Sequence, residues 1–123
     1  MTSSFEELAT TSFQIIASVG MARSSYIEAI QEAKAGHFDR ARELVEEGGK
    51  SFLNGHDAHT ALVQNEDAGN RTDMCLMLTH AEDQLMSAEA FGILSTEFIE
   101  LYERLERVED KLGIEPAPAP ATE

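Results

Sequence analysis

From Phe5 to Leu112 apolar residues return at every third or fourth position, and no proline interrupts them; all three prolines fall at 116, 118 and 120. That spacing lines one face of an α-helix, turn after turn. Ser4, with Glu7 three residues on, reads as a capping box opening a first helix. Phe5, Leu8, Ile15, Ile16, Val19, Ala22, Tyr26, Ile27, Ile30 and Ala33 form its stripe, and Gly36 is placed to end it. Asp39 is read as the cap of a second helix, with Ala41, Leu44, Val45, Gly48, Phe52, Gly55, His59, Leu62 and Val63 on its inner face. Glycine inside a helix costs about 1 kcal/mol against alanine. Gly48 and Gly55 on one face therefore read either as seats for a close neighbour or as ordinary tolerated glycines. The second helix ends near Glu66 and the chain turns through residues 67–71. Thr72 or Asp73 is expected to cap a third helix reaching Leu112–Gly113.

These assignments predict an all-α, up-down-up three-helix bundle over residues 1–113. Residues 114–123 carry alternating prolines that no helix accommodates, and are expected to form a disordered Pro/Ala-rich tail. Three helices of about thirty residues make a rod of roughly 45 Å at 1.5 Å per residue. A rod that thin buries little surface, and its apolar residues lie on more than one side, so self-association is expected.

The formal net charge of −14, from 23 acidic and 9 basic residues, leaves no basic surface to neutralise phosphates and argues against nucleic acid. It suits a basic protein partner or a bound cation. The lone Cys75 makes neither a disulfide nor a zinc pattern and is expected to be a small buried residue. The first basic residue is Arg23, so no charged signal region precedes the first helix, and no run has the roughly 18 apolar residues of a membrane span. A cytoplasmic protein without direct membrane insertion is expected.

Four stretches bear on chemistry. Gly49-Lys50-Ser51 resembles the end of a phosphate-binding loop, but that motif needs glycine where Leu44 stands, and a preceding strand. Lys50 is read as a solvated surface residue. His56 and His59 are one helical turn apart, where two ligands for a metal can sit, yet the Glu-x-x-His pairs of dimetal bundles are missing. A structural role is the favoured reading for each, and His37 is expected to be exposed. His80 differs in its company. Asp83, Gln84 and Ser87 follow it on the same helical face, beside an apolar stripe of Met74, Met77, Leu78, Ala81, Leu85 and Ala88. Such an imidazole can be oriented through one ring nitrogen while the other reacts. No serine or cysteine is paired with it as an acyl-transfer nucleophile. Spacing alone leaves a purely structural His80 open.

The run His80-Ala81-Glu82-Asp83-Gln84-Leu85-Met86 resembles the His-Ala/Gly-Gln-Asp-His-Leu-Met core of the enzyme IIA component of the lactose/cellobiose (N,N′-diacetylchitobiose) class of the sugar phosphotransferase system. Supporting segments follow in family order. Gly20-Met21-Ala22-Arg23-Ser24 is similar to its Gly-x-Ala-Arg-Ser, residues 35–39 to its Gly-Asp-Phe turn, and Gly55-His56-Asp57-Ala58-His59-Thr60 to its Ala-His-x-x-Gln-Thr. The resemblance covers about residues 5–112.

It implies a homotrimer of nine helices, with the active histidine near a subunit interface. By resemblance His80 takes a phosphoryl group from the histidine-containing phosphocarrier protein and gives it to a cysteine of enzyme IIB, for uptake of a β-disaccharide such as cellobiose, lactose or chitobiose. Asp83 by resemblance points to the trimer axis and shares a divalent cation, taken as magnesium and one per trimer, with its symmetry mates. A neutral imidazole is available near neutral pH, and transfer of this kind needs alignment and charge stabilisation more than many catalytic groups. Three converging carboxylates repel unless protonated or bridged by a cation. Gln84 stands where the family has a second histidine, Glu82 where it has glutamine, and His59 where it usually has glutamine. Two other readings compete: a regulatory or scaffold trimer in which phosphorylation of His80 is a signal, and a helical oligomer without chemistry.

Overall fold

The computed structural model describes residues 4–116, which form three helices: α1, Phe5–Lys34, α2, Phe38–Asp67, and α3, Leu76–Leu112. Among the described residues there is no strand. Ser4 and Glu7 close the expected capping box on α1, the Ser4 hydroxyl accepting from the Glu7 amide while the Glu7 carboxylate accepts from the Ser4 amide. Gly36, with φ of 86°, turns the chain within three residues into α2. Gly113 ends α3 in the left-handed conformation that glycine adopts without steric penalty.

Named contacts fix the directions. Gly48 and Gly55 of α2 face Tyr26 and Val19 of α1, an antiparallel order, while Gly92 of α3 meets Tyr26 in parallel order. Arg42 pairs with Glu103, and His59 with Glu82, so α2 and α3 are antiparallel. The bundle is up-down-up, as expected, with α1 packed against both other helices. One cluster of buried side chains, Ile15, Val19, Ala81, Leu85 and Ala88, lies toward the end where α3 begins. The other, Ala29, Ala33, Ala41, Leu44 and Ile99, lies toward the far end.

Half of the residues in these two clusters are alanines, and glycines of α2 and α3 face α1 directly, which brings the helices close. A Cβ built on Gly48 would lie 2.8 Å from the Tyr26 ring, and one on Gly92 would lie 3.0 Å from it. The ring fills the space that two absent side chains leave. The glycines are seats for a neighbour, as the first of the two sequence readings had it.

Two caps differ from expectation. Asp39 lies inside the first turn of α2, and its N-cap is His37, whose side chain makes no capping bond. The His37 Nδ1 instead lies 2.6 Å from Oε2 of Glu32 across the turn, and the ring is exposed as expected. The third helix starts at Leu76 rather than after Thr72 or Asp73, with Cys75 as an N-cap that contributes no side-chain bond. Cys75 is therefore part-buried at a helix start rather than a core residue.

The structure is of one chain and does not show the homotrimer. It does leave a continuous apolar stripe on the outside of α3. Leu94, Leu101, Leu105, Val108 and Leu112 are each between 46% and 67% exposed. The expectation for residues 117–123 lies outside the described residues. Among the described residues no helix is long and apolar enough to cross a membrane.

Candidate functional site

Nothing in the first turn of α3 closes it by a side chain: Cys75 makes no cap bond and no acid stands in that turn. His80 is the fifth residue of this helix, flanked by Leu78 and Ala81, which anchor the turn in the core at 2% and 0% exposure. With its backbone so held, the imidazole stands on the surface. Asp83, one turn on, is also exposed, while Gln84 and Ser87 are half-buried.

The four histidines divide sharply. His37 has Glu32 within ion-pair distance, His56 has Asp57 at 3.8 Å, and His59 has Glu82 at 3.5 Å. Among the described residues His80 has no ion-pair or hydrogen-bond partner, and neither does Asp83. Asp83 and Gln84 share its face as predicted, but neither holds its ring. Among the described residues no hydrogen bond orients the imidazole, in contrast to the expectation that a same-face neighbour holds one ring nitrogen.

Glu82, two residues beyond His80, points another way. Residues two apart in a helix diverge by about 200° around the axis. Its Oε1 lies 3.5 Å from Nε2 of His59, which is only 24% exposed. Positions 59 and 82, the two where the resemblance implies glutamine, therefore face one another across α2 and α3. Their sequence separation hides this pairing.

Two clefts flank the bundle and neither contains His80 or Asp83. One, of about 440 Å³, is lined among others by Phe5, Leu8, Leu62, Asn65, Arg71 and Cys75; the other, of about 320 Å³, by Lys34, Phe38, Tyr102, Glu106 and Pro116. Outside these two clefts and exposed on the surface, the imidazole is within reach of a macromolecular partner. No group of three or more His, Cys, Asp or Glu side chains among the described residues can hold a metal within one chain. His56 and His59 accordingly form no metal site with a third ligand. Lys50 is a surface residue 3.7 Å from Glu46, with no strand before it, as read from sequence.

Arg23 was notable in sequence only as part of Gly20–Ser24. Its guanidinium lies over the Phe91 ring of α3, 5.1 Å from the centroid, and its Nε is buried without a hydrogen-bond partner. Phe91 lies on the face of α3 that carries His80, Gln84 and Ser87, at helical spacing.

Residues 10–103 match the family described as "PTS system, Lactose/Cellobiose specific IIA subunit". The chain is 40% identical to the lichenan-specific phosphotransferase enzyme IIA component of Bacillus subtilis, over 81% of this chain and 91% of that one. It is 37% identical to the lactose-specific EIIA component of Streptococcus mutans, over 80% of this chain and 95% of the other. A crystal structure of the cellobiose-specific enzyme IIA from Bacillus anthracis superposes with a TM-score of 0.79 at 36% identity, covering 86% of this chain and 95% of that one. With His80 on an open face of α3, and family similarity running through nearly the whole bundle, this chain belongs to the lactose/cellobiose-specific IIA family, the sugar-phosphotransfer components of the phosphotransferase system.

Proposed function

We propose that the protein is a phosphocarrier that accepts a phosphoryl group on His80 from the histidine-containing phosphocarrier protein and passes it to a cysteine of enzyme IIB. The observation that carries this reading is the exposed His80 imidazole, without a partner among the described residues, inside the family-matched segment. A lone pair on His80 attacks the phosphorus of the donor's phosphohistidine. The new N–P bond forms as the donor's N–P bond breaks, and the electron pair returns to the donor ring. In the second transfer a thiolate sulfur forms an S–P bond, the His80 N–P bond breaks, and the imidazole is restored. An exposed imidazole suits a carrier that meets two protein partners in turn. The sugar served is a β-disaccharide of the kind named for its relatives, such as lactose or cellobiose, and the protein works in the cytoplasm. Residues 1–113 form the carrier unit, with 114–123 as a tail outside it.

The working form is a homotrimer of nine helices. Asp83, Leu94, Leu101, Leu105 and Val108 follow one another at helical spacing along the outside of α3, where apolar side chains stand half-exposed. Burying them against two more copies removes this surface from water. Asp83 then meets its two symmetry mates at the polar head of the seam. A set of carboxylate oxygens with no partners among the described residues fits a hard divalent cation such as magnesium. When bound, that cation supplies neutralising charge between the three Asp83 side chains.

The test is incubation with phosphoenolpyruvate, enzyme I and the phosphocarrier, followed by addition of enzyme IIB. Acid-labile, base-stable label on His80 that discharges onto enzyme IIB supports the proposal. No label on His80 overturns it, and label that cannot be passed on leaves a signalling trimer in its place.

A further inference from the structure

We propose that His59 is a positioning residue for phosphoryl transfer: by pairing with Glu82 it clasps the opening turns of α3, and with them His80, to α2. The inference rests on reading His80 as the phosphoacceptor.

The start of α3 has little else to hold it by polar contact. Cys75 supplies no cap bond, no acid occupies the first turn, and the helix follows an eight-residue connection, 68–75, from α2. Among the described residues only two contacts at ion-pair distance join α2 to α3, Arg42–Glu103 and His59–Glu82, the second charged on both sides when His59 is protonated. The Arg42–Glu103 link lies roughly 30 Å farther along α3 at 1.5 Å per residue, too distant to steady the His80 turn. Apolar anchoring by Leu78 and Ala81 sets the depth of the turn, while the clasp resists its rotation about the α3 axis.

The pair also places a charge. Glu82 is two residues from the atom that receives a dianionic phosphoryl group, and an unpaired carboxylate there disfavours the product. His59 holds that carboxylate on the α2 side, away from the His80 face, with its Nε2 3.5 Å from Oε1 of Glu82. His59 is 24% and Glu82 41% exposed at the side chain, so the link is neither fully solvated nor a buried ion pair. It carries charge on both sides only while His59 is protonated, and its contribution lies in the ordinary range of a surface pair.

The experiment is a double-mutant cycle on the full chain with His59→Ala, Glu82→Ala and both together, plus the amide pair His59→Gln/Glu82→Gln. Two quantities are followed: single-turnover labelling of His80 by the phosphorylated phosphocarrier, and hydrogen-exchange protection of amides in residues 79–84. Each single alanine variant is expected to slow labelling about fivefold with the KM for the donor unchanged. The double variant should be no slower than either single one, and the amide pair should recover to within about twofold, because two amides of this length can hydrogen-bond across the same gap. Exchange protection should fall and recover in parallel. Additive losses, unchanged labelling, or an amide pair as slow as the alanine variants would overturn the clasp. Exchange reports on it even if wild type is never labelled, so failure of the phosphoacceptor reading is told apart from failure of the clasp.

Discussion

Val19 of α1 occupies the space that a side chain on Gly55 of α2 would need: a Cβ built there would lie 2.6 Å from its Cγ1 and 3.4 Å from the carbonyl oxygen of Ile15. Val19 is fully buried and the Ile15 backbone is helical, so neither can yield without shifting a helix. Gly55→Ala is expected to destabilise the bundle by about 1–3 kcal/mol, the usual range for overpacking. Gly20→Ala is the control, since nothing lies within 4 Å of its Cβ position. Relief of the glycine helix penalty should raise stability there by up to about 1 kcal/mol. Chemical denaturation of the two variants checks the opposite signs.

Tyr26 is 6% exposed, and burial pushes its phenol above the ordinary range, because ionisation would strand a charge between helices. The folded state therefore holds its proton longer than the unfolded chain. Stability from this group is intact below the ordinary phenol pKa of about 10 and is lost as pH rises above it. Melting temperature followed into alkali should fall more steeply in wild type than in Tyr26→Phe. Parallel curves would show that the phenol does not drive the alkaline loss.

His80→Ala is expected to abolish phosphoryl acceptance with helicity unchanged, since the side chain removed is exposed and makes no side-chain bond among the described residues. His56→Ala should accept at the wild-type rate, and His59→Ala should still be labelled, though more slowly. Label that survives in His80→Ala and disappears in His56→Ala would move the acceptor site to α2. Circular dichroism and labelling on the same samples decide it.

For Asp83 the expectation is a metal-dependent assembly. Three carboxylates brought to one axis cost several kcal/mol if left charged and unbridged. Chelator should lower the melting temperature of wild type, and added magnesium should restore it. Asp83→Asn should keep the trimer and lose the response to both, as read by sedimentation and calorimetry. A wild type indifferent to chelator rules out the axial cation.

The three helices were legible because Ile15, Val19, Ala22 and Tyr26, and their counterparts on α2 and α3, repeat at the helical period and are buried almost as read. The N-caps of α2 and α3 were not. Asp39, Thr72 and Asp73 have the right chemistry for caps, but a helix begins where tertiary packing can hold its first turn, and here that is Phe38 and Leu76. His80 was singled out by its neighbours in sequence, yet neither Asp83 nor Gln84 bonds to its ring in the structure. The His59–Glu82 pair had no local signal at all. Its members are on different helices, and only the antiparallel register of α2 and α3 brings them together.

The lopsided packing has a bearing on how the chain folds. The α1–α2 pair is joined by a three-residue turn, whereas α3 must return to α1 from across the whole of α2. Closing the short loop costs less entropy, so the hairpin of α1 and α2 is expected to lead and α3 to dock afterwards. On this route Gly55→Ala slows folding, whereas disturbing the α2–α3 ion pairs quickens unfolding. The phosphoacceptor helix is then the last to take its place, and a newly made chain acquires a complete His80 face only when the rest of the bundle is already built.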